Sequence, residues 1–306
     1  PAPCSNPLAR SSSPLDASFN HVGAMIVDHG SSSDDVFAGA VLQPDGKIVV
    51  AATSIVGGTR VASVLRFLPD GTPDPAFGTN GRALLPNTAG TSYVGVASLA
   101  RQPNGRLLVA IVHVEDVSSG MGTSSLRVIG VTPSGALDPS YGIGGRFVYD
   151  APLGLANTPQ MILHPDGKAL LLFVPAAGEW TNRPTLLRLT VDGRADATFG
   201  SNGLWLPSDL AAVRGMALQA DGQLLLAGGA PADNRYGADF AVARYSIGAS
   251  PMIEFYNATL DHYFITLNPT EAADLDDGIH VGWARTGSAF AVFGAAAAAL
   301  ATFVPV

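Results

Sequence analysis

The sequence predicts an all-β protein built from four copies of one repeated unit, with a small module after the last copy. Three observations predict this fold class. Three sequence cues recur in the same phase along the chain, as expected for a repeat architecture. Each copy holds short runs of Val, Ile, Leu and Ala bounded by turn residues, and helical periodicity is absent from this region. The 35 glycines and 22 prolines among 306 residues are enough to form the turns between many short strands.

Composition and charge exclude several classes of protein. Hydrophobic residues make up 47% of the chain and charged residues only 14%, so a disordered chain is excluded and a sizeable core is expected. The net charge of −8 and the pI near 5.1 provide no basic surface for nucleic acid or anionic lipid. Neither of these partners is expected.

The first cue is a motif of the type LDxxFG. Its aspartates recur at similar intervals as Asp16, Asp74, Asp138 and Asp196, and an aromatic residue follows three positions later as Phe19, Phe77, Tyr141 or Phe199. We expect each aspartate to cap the tight turn that follows it. We expect each aromatic ring to wedge between neighbouring units.

The second cue is a QPDGK-like motif at residues 43–47, 102–106, 164–168 and 219–223. A Pro-Asp-Gly triplet favours a tight turn, because Pro presets φ, Asp hydrogen-bonds its own backbone and Gly accepts a positive φ. The motif therefore predicts a hairpin turn between two strands of every copy.

The third cue is an arginine near the end of an apolar run. The four arginines are nearly evenly spaced, at Arg66, Arg127, Arg188 and Arg244. A guanidinium can satisfy several buried acceptors at once, so we expect a structural role in which the arginines reach the repeated aspartates or backbone carbonyls. The alternative is that four equivalent arginines line a central anion site.

In the first copy the apolar runs predict strands at about residues 22–27, 36–43, 47–53 and 61–68. Four short strands form a unit that cannot bury both of its faces alone, which is typical of a β-propeller blade. The segments LDPSYG, LQPDGKIVVA and VARY resemble the delta-60 repeats of bacterial surface and secreted proteins. The resemblance covers residues 15 to about 249, after an N-terminal extension at 1–14, and it implies a β-propeller with four blades. A larger ring completed by a second chain and an open β-array are the alternatives.

Strand direction alternates within a blade, so the repeated connections share one face and the connections that differ between copies lie on the other. Variable loops on a rigid scaffold are a frequent location of function. Two of these loops combine an aromatic ring with carboxylates and fork-shaped donors, which suits a sugar, although ordinary solvated loop residues are the alternative. The candidate ligand-binding residues are Glu179, Trp180, Asn182, Arg183, Asp233, Arg235 and Tyr236.

No cofactor is predicted. The alternative is a calcium ion held by Asp28, Asp34 and Asp35, although this segment lacks the alternating oxygen ligands of an EF-hand loop. The sequence contains no GxSxG, HExxH, Walker or paired-cysteine motif, and its six histidines show no ligand spacing. These features favour a noncatalytic protein. The alternative is a hydrolase that uses carboxylates such as Glu115, Glu179 or Asp233.

After residue 249 the repeat stops, and EFYNATLDHYFIT is followed by EAADL and WARTG. This pattern resembles a small module of unknown function that often follows delta-60 repeats and also occurs on secreted hydrolases, which implies attachment or binding; it looks incomplete over residues 250–306. The residues predict an aromatic strand pair, a short helix over 268–276 that begins at Asn268, and further strands from Trp283, hence a small α+β module. Tyr256, Tyr263 and Trp283 form either a carbohydrate platform or the core of the module.

The chain begins at Pro1, has only two lysines and is rich in small polar residues, which favours a secreted, periplasmic or cell-surface bacterial protein. Cys4 has no cysteine partner in the sequence. The uncharged stretch after Arg285 contains Ser288, Gly294 and Pro305, so a membrane span is not expected. We predict a binding or scaffold protein that recognises a glycan or cell-surface component. A self-assembling extracellular or envelope protein, as a homo-oligomer or filament, is the alternative.

Overall fold

The computed structural model describes most of the repeat region and part of the C-terminal module. The described residues are 15–26, 35–85, 91–115, 123–151, 158–175, 183–207, 210, 212–229, 239–247, 250–266, 272, 275–276 and 278–292. They are dominated by β-strands in several antiparallel sheets. This confirms the predicted all-β class and is consistent with a β-propeller-like architecture.

The strands form five sheets, and each sheet uses strands that are consecutive in the chain. The first sheet contains β1 (Val36–Leu42), β2 (Ile48–Val56), β3 (Thr59–Phe67) and β4 (Arg82–Leu84), and the second contains β5 (Thr91–Arg101), β6 (Leu107–Glu115), β7 (Thr123–Val131) and β8 (Arg146–Ala151). The third contains β9 (Gln160–Leu163), β10 (Ala169–Phe173), β11 (Thr185–Leu189) and β12 (Leu204–Trp205). The fourth contains β13 (Ala212–Leu218), β14 (Leu224–Gly229) and β15 (Phe240–Tyr245), and the fifth contains β16 (Ser250–Asn257), β17 (His262–Thr266) and β18 (Trp283–Val292).

The QPDGK-like motifs form the predicted hairpin turns. Between β1 and β2 the Gln43 N–H donates to the Lys47 carbonyl at 2.8 Å, and the Gly46 N–H donates to the Gln43 carbonyl at 2.9 Å. Gly46 has a φ of 78°, which a residue with a Cβ adopts only under strain. The same two hydrogen bonds recur in the turns at 102–106, 164–168 and 219–223.

The strand predicted at residues 22–27 is not observed. The described residues 22–26 contain no strand, and Val27 lies outside the described residues. Asn20 and His21 have φ values of 48° and 62°, so the backbone turns tightly just before this segment. The fourth strand of the first sheet is instead β4, which follows the LDxxFG connection, and β8 and β12 occupy the same place in their sheets.

The first and second sheets belong to one compact unit and share a core. Val49 and Val64 of the first sheet are fully buried in the same cluster as Val109 and Val131 of the second sheet. The Val96 N–H donates to the buried Thr53 hydroxyl at 2.8 Å, which ties β5 to β2. Residues contributed by two sheets therefore fill one core.

The third and fourth sheets have an equivalent core in the second compact unit. Leu170 and Leu186 of the third sheet and Leu224 and Leu226 of the fourth are fully buried in one cluster. Each of these sheets therefore buries a face that it could not cover alone.

The fifth sheet has β16 at its centre, between β17 and β18. Phe255 of β16 lies opposite Phe264 and is fully buried, and Ala272 and Leu275 pack against it. Of the segment predicted as a short helix, Ala272, Leu275 and Asp276 are described and have helical backbone. One face of this sheet is thus covered, which decides which aromatic residues remain accessible.

Candidate functional site

Of the residues predicted to bind a ligand, the structure describes Arg183. Glu179, Trp180, Asn182, Asp233, Arg235 and Tyr236 lie outside the described residues, as do Asp28, Asp34 and the side chain of Glu115. Arg183 is described and exposed, and its carbonyl accepts a hydrogen bond from the Thr185 hydroxyl at 3.3 Å. The ligand, calcium and hydrolase assignments therefore stay predictions.

Two further findings concern the described part of the chain alone. Its His, Cys, Asp and Glu side chains include no group of three that is arranged to hold a metal ion. It contains no helix that has both the length and the apolar character needed to cross a membrane.

The repeated aspartates cap the turns that follow them. In each copy one carboxylate oxygen accepts a main-chain N–H from two residues ahead at 2.9–3.0 Å, the donors being Ser18, Ala76, Ser140 and Thr198. Such a cap holds the residues between the aspartate and the aromatic ring in a tight turn.

Two of the repeated arginines form buried ion pairs with the aspartates. Arg66 Nε lies 2.8 Å from Asp74 Oδ2, and Arg188 Nε lies 2.8 Å from Asp196 Oδ2. The lysine of the preceding QPDGK turn adds a second cation, because Lys168 Nζ lies 3.0 Å from the same Asp196 oxygen. The hairpin turn and the LDxxFG connection therefore meet at one end of the sheet.

Arg127 does not occupy the position of Arg66 and Arg188 in its copy, although it is buried and its Nε donates to the Ser125 hydroxyl at 3.1 Å. In the first copy the Asp74 N–H donates to the Arg66 carbonyl at 2.9 Å, and in the second copy the Asp138 N–H donates to the Gly130 carbonyl at 2.9 Å. Gly130 therefore corresponds to Arg66, and Arg127 lies earlier on β7. The nearly even spacing of the arginines therefore does not reflect equivalent positions.

In the second copy Arg106 supplies the cation that pairs with the repeated aspartate. It stands at the lysine position of the QPDGK-like turn, and its Nε lies 2.7 Å from Asp138 Oδ2. Its guanidinium also lies 5.4 Å from the centre of the Tyr141 ring, where Arg66 and Arg188 stack on Phe rings. A Cβ on Gly130 would come within 2.5 Å of the Tyr141 Cβ, so glycine at this position leaves room for the tyrosine. Arg106 then supplies the cation that Arg66 and Arg188 supply in their copies.

Arg244 occupies the arginine position in the fourth copy. It is exposed on β15, and no acidic residue follows it before Glu254. It therefore has no aspartate of the repeated type to pair with, and four equivalent arginines do not recur in the chain.

Hydrogen bonds and neighbouring cations keep the repeated carboxylates ionised. Burial alone raises the pKa of Asp196, but hydrogen bonds from Thr198 and Lys168 and the charge of Arg188 outweigh it and leave this pKa strongly lowered. For Asp138 the hydrogen bond from the Ser140 hydroxyl is the main cause of a lowered pKa. These groups stabilise the fold as fixed charges and do not behave as general acids near neutral pH.

Three aromatic residues of the LDxxFG motifs, Phe19, Phe77 and Tyr141, pack against the glycine of the next connection. A Cβ on Gly71 would lie 2.8 Å from the Phe19 ring, and a Cβ on Gly193 would lie 2.6 Å from the Tyr141 ring. Gly71 and Gly193 also have φ values of 85° and 77°. Only glycine fits beneath these rings.

An open cleft of about 420 Å³ lies beside the last of these aromatic residues. It is lined by Thr198, Phe199, Gly200, Trp205, Tyr245, Ser246 and Ile247. The Trp205 ring packs edge-on against Tyr245 at 4.7 Å and against Phe199 at 6.1 Å. Sequence reasoning missed this cleft. No local sequence signal points to it, because Phe199, Trp205 and Tyr245 come together only in the folded chain.

The open face of the fifth sheet presents two adjacent tyrosines. Tyr256 and Tyr263 lie opposite each other on β16 and β17, with ring centres 4.7 Å apart, and Tyr263 is 64% exposed. The Tyr256 hydroxyl donates to Asp261 at 2.8 Å, and this hydrogen bond raises the pKa of Tyr256. The pair is an aromatic surface of two rings inclined by 39° to each other, with a carboxylate at its edge.

Trp283 does not belong to this surface. It packs edge-on against Phe264 at 5.8 Å on the covered face of the sheet. The side chain of Arg285 is held by Asp276 at 2.5–3.0 Å. Of the three aromatic residues considered as a carbohydrate platform, the structure brings Tyr256 and Tyr263 together and assigns Trp283 to the core.

One family model matches the chain, over residues 43–77, and its description is "Domain of unknown function (DUF5122) beta-propeller". The matched segment begins at the first QPDGK turn and ends at Phe77, so it contains the hairpin, the Arg66 and Asp74 pair and the aromatic wedge. A comparison with curated proteins finds no match. The match supports a β-propeller family for this repeat and says nothing about a ligand.

Proposed function

We propose that the chain is a secreted or cell-surface, noncatalytic β-propeller protein with four blades and a small α+β C-terminal module, and that it binds a glycan. The recurrence of one turn, cap and wedge in successive copies supports four equivalent blades. The variable loops predicted from the sequence and the tyrosine face of the fifth sheet are the proposed contacts with the glycan.

The observation that carries this proposal is the Tyr256 and Tyr263 pair. Two rings side by side on neighbouring strands offer an apolar surface to the C–H face of a sugar, and Asp261 offers an acceptor to its hydroxyls. The opposite face of the sheet holds Phe255 at 0% exposure, so the module has a core that does not need Tyr263. Tyr263 is therefore available for a ligand.

The test is binding of the full chain to a glycan array and to insoluble polysaccharides, with Tyr263→Ala compared with Phe240→Ala. Phe240 is 79% exposed on β15, outside the tyrosine face, so it controls for loss of an exposed aromatic ring. We expect Tyr263→Ala to weaken binding about fivefold to tenfold, which corresponds to about 1 kcal/mol, and Phe240→Ala to leave it unchanged. No binding to any glycan, or an equal loss in both variants, would overturn the proposal.

A second candidate is self-assembly, which a separate surface favours. Ile279 and Val281 are 64% and 88% exposed just before β18, and β17 and β18 are the outer strands of their sheet. Size-exclusion chromatography with light scattering distinguishes the two functions. A mass above 31.3 kDa that Val281→Lys reduces to that of one chain supports assembly.

A further inference from the structure

The two ends of the repeat region carry complementary halves of one repeat unit. Residues 15–26 contain the first LDxxF motif and the segment after it, whose counterparts in the first three sheets form the fourth strand as β4, β8 or β12. The fourth sheet contains β13, β14 and β15, and the described residues provide no fourth strand beside β15. The second half of a unit is therefore found at residues 15–26, and the first half is found at residues 212–245.

Each half also holds one member of the repeated ion pair. In the first sheet Arg66, near the end of the third strand, pairs with Asp74 of the LDxxFG motif that follows it. Arg244 has the same position on β15 and forms no ion pair within the described residues. Asp16 has the aspartate position in the first motif, where it caps its turn but meets no cation from the part of the chain that the structure describes.

The face of β15 that holds Arg244 is exposed, whereas the same face is buried in the first and third sheets. Val242 precedes Arg244 by two residues and is 56% exposed. Its counterparts Val64 of β3 and Leu186 of β11 are fully buried. The edge strand of the fourth sheet therefore presents an apolar and cationic surface that the equivalent strands bury.

A matching exposed surface lies on the first sheet. Phe37 lies just before the bulge of β1 and is 66% exposed, whereas Val96, just before the equivalent bulge of β5, is 8% exposed and belongs to the core that the first two sheets share. Phe37 lies opposite Ala52, and Met25 packs against the cluster that contains Ala52. Residues 15–26 thus lie on the side of the first sheet where a preceding sheet is expected.

We propose that β15 of one copy pairs with residues 22–26 of a second copy, so that copies of the chain assemble head to tail. Both surfaces are exposed in one chain, so a second copy offers each surface its complement. The pairing would complete the fourth sheet and bring Asp16 of the second copy to Arg244 of the first. Such an interface is heterologous, because each copy uses a different surface toward each neighbour, and it propagates into a ring or a filament.

The register of this pairing follows from the repeat. In the first and third sheets the residue before the arginine lies opposite the residue after the turn glycine, as Leu65 lies opposite Arg82. The same rule places Ala243 opposite Ala24, and Val242 opposite Met25, of the second copy. A slip by one residue would turn the side chains of the added strand to the other face of the sheet, so the register can be tested.

Disulfide cross-linking tests this register in full-length chains that carry Cys4→Ser. One chain carries Met25→Cys, and a second, affinity-tagged chain carries Val242→Cys. Directly opposite residues of antiparallel strands have the Cα separation that a disulfide requires. After oxidation and capture in urea, we expect the tagged chain to retain the other chain until it is reduced. Ile26→Cys is the matched control for Met25→Cys, and we expect its yield to be about tenfold lower, because its side chain points to the opposite face.

Charge exchange provides a second measurement, by size-exclusion chromatography with light scattering. Arg244→Asp should weaken assembly by about tenfold or more, because it faces the like charge of Asp16, and Asp16→Arg in the same chain should restore assembly. The inference rests on the repeat and not on glycan binding or on the surface of Ile279 and Val281. Tyr263→Ala and Val281→Lys should therefore leave the cross-link yield unchanged, so failure of each idea can be recognised separately.

Three results would overturn the proposal. The first is no cross-link between the two chains, and the second is an equal yield from Met25→Cys and Ile26→Cys. The third comes from a chain that carries both Met25→Cys and Val242→Cys: a disulfide formed within that single chain would show that the second copy is not the partner.

Discussion

Replacing Tyr141 by phenylalanine should stabilise the protein. Tyr141 is fully buried, and its hydroxyl has no hydrogen-bond partner among the described residues. The equivalent positions in the other copies are Phe19, Phe77 and Phe199, so a phenyl ring satisfies the same packing against the next glycine. The hydroxyl is thus a polar group that the site does not use.

The expected magnitude follows from the cost of an unpartnered buried hydroxyl. Leaving such a group without a hydrogen bond costs about 1–3 kcal/mol, and part of this is recovered when the group is removed. We expect Tyr141→Phe to raise the free energy of unfolding by about 1 kcal/mol. For a chain of this length that corresponds to an increase of about 2–4 °C in the melting temperature.

The reciprocal variant Phe77→Tyr makes the test specific. Phe77 is also fully buried, with Arg66 over its ring and Gly135 beyond its edge, so an added hydroxyl enters a similar site without a partner. We expect Phe77→Tyr to lower the free energy of unfolding by about 1–3 kcal/mol. Urea unfolding followed by tryptophan fluorescence measures both changes as shifts of the midpoint at constant slope.

The pH dependence provides a second readout. Burial raises the pKa of Tyr141 well above its ordinary value of 10.0, because the ionised form is disfavoured in the core. Above pH 10 the tyrosine ionises in the unfolded chain but stays protonated in the folded one. The free energy of unfolding is therefore unaffected below pH 10 and falls by about 1.4 kcal/mol per pH unit as the pH rises from 10 toward the folded pKa. The advantage of Tyr141→Phe should therefore grow above pH 10. A destabilised Tyr141→Phe, or an advantage that does not change between pH 8 and pH 11, would refute the reasoning.

Three further substitutions test the repeated contacts, two by urea unfolding and one by NMR titration. Gly130→Ala should lower the free energy of unfolding by about 1–3 kcal/mol, because the added Cβ would clash with Tyr141, although alanine is the better strand residue. A decrease below about 0.5 kcal/mol, which is typical of a neutral surface change, would contradict this packing. Asp196→Asn should cost about 3 kcal/mol at pH 7 because it leaves Arg188 unpaired. Since the pKa of this carboxyl is lowered, the difference should shrink as the pH falls from the unfolded value of 3.8 toward the folded value; a constant difference would exclude the ion pair as its cause. Arg106→Gln should raise the pKa of the carboxyl it contacts, measured by NMR titration, and an unchanged pKa would show that this arginine does not replace the missing one.

The hairpin turns and the capped turns of the repeat could be predicted from the sequence, because each of these turns has a local cause. Pro-Asp-Gly specifies its own hairpin, and an aspartate two residues before a donor caps its own turn, so neither needs knowledge of distant residues. The second copy could not be read in this way, because Arg106 and Gly130 are far apart in the chain and become partners only through Asp138 and Tyr141. Counting back from the turn glycines Gly71 and Gly135 would have aligned Arg66 with Gly130; the spacing between arginines could not.

In the candidate site, too, the sequence identifies the residues and the fold decides how they are arranged. Alternation along a strand predicts that neighbouring residues point to opposite faces, but only the register of β16 and β17 brings Tyr256 opposite Tyr263. Which face is open then depends on Ala272 and Leu275, which cover the Phe255 side. The aromatic residues of a possible platform could therefore be found in the sequence, and the tertiary contacts separated Trp283 from it.

The repeated residues and the exchange in the second copy both serve the packing of the repeat. A residue that recurs in every copy is constrained by the packing of that copy, as the Asp74 and Asp196 ion pairs show. The exchange at Arg106 and Gly130 is a departure that restores the same contacts within its own copy, so it needs no ligand to explain it. A ligand is therefore better sought on a surface outside the repeated contacts, such as the pair of Tyr256 and Tyr263.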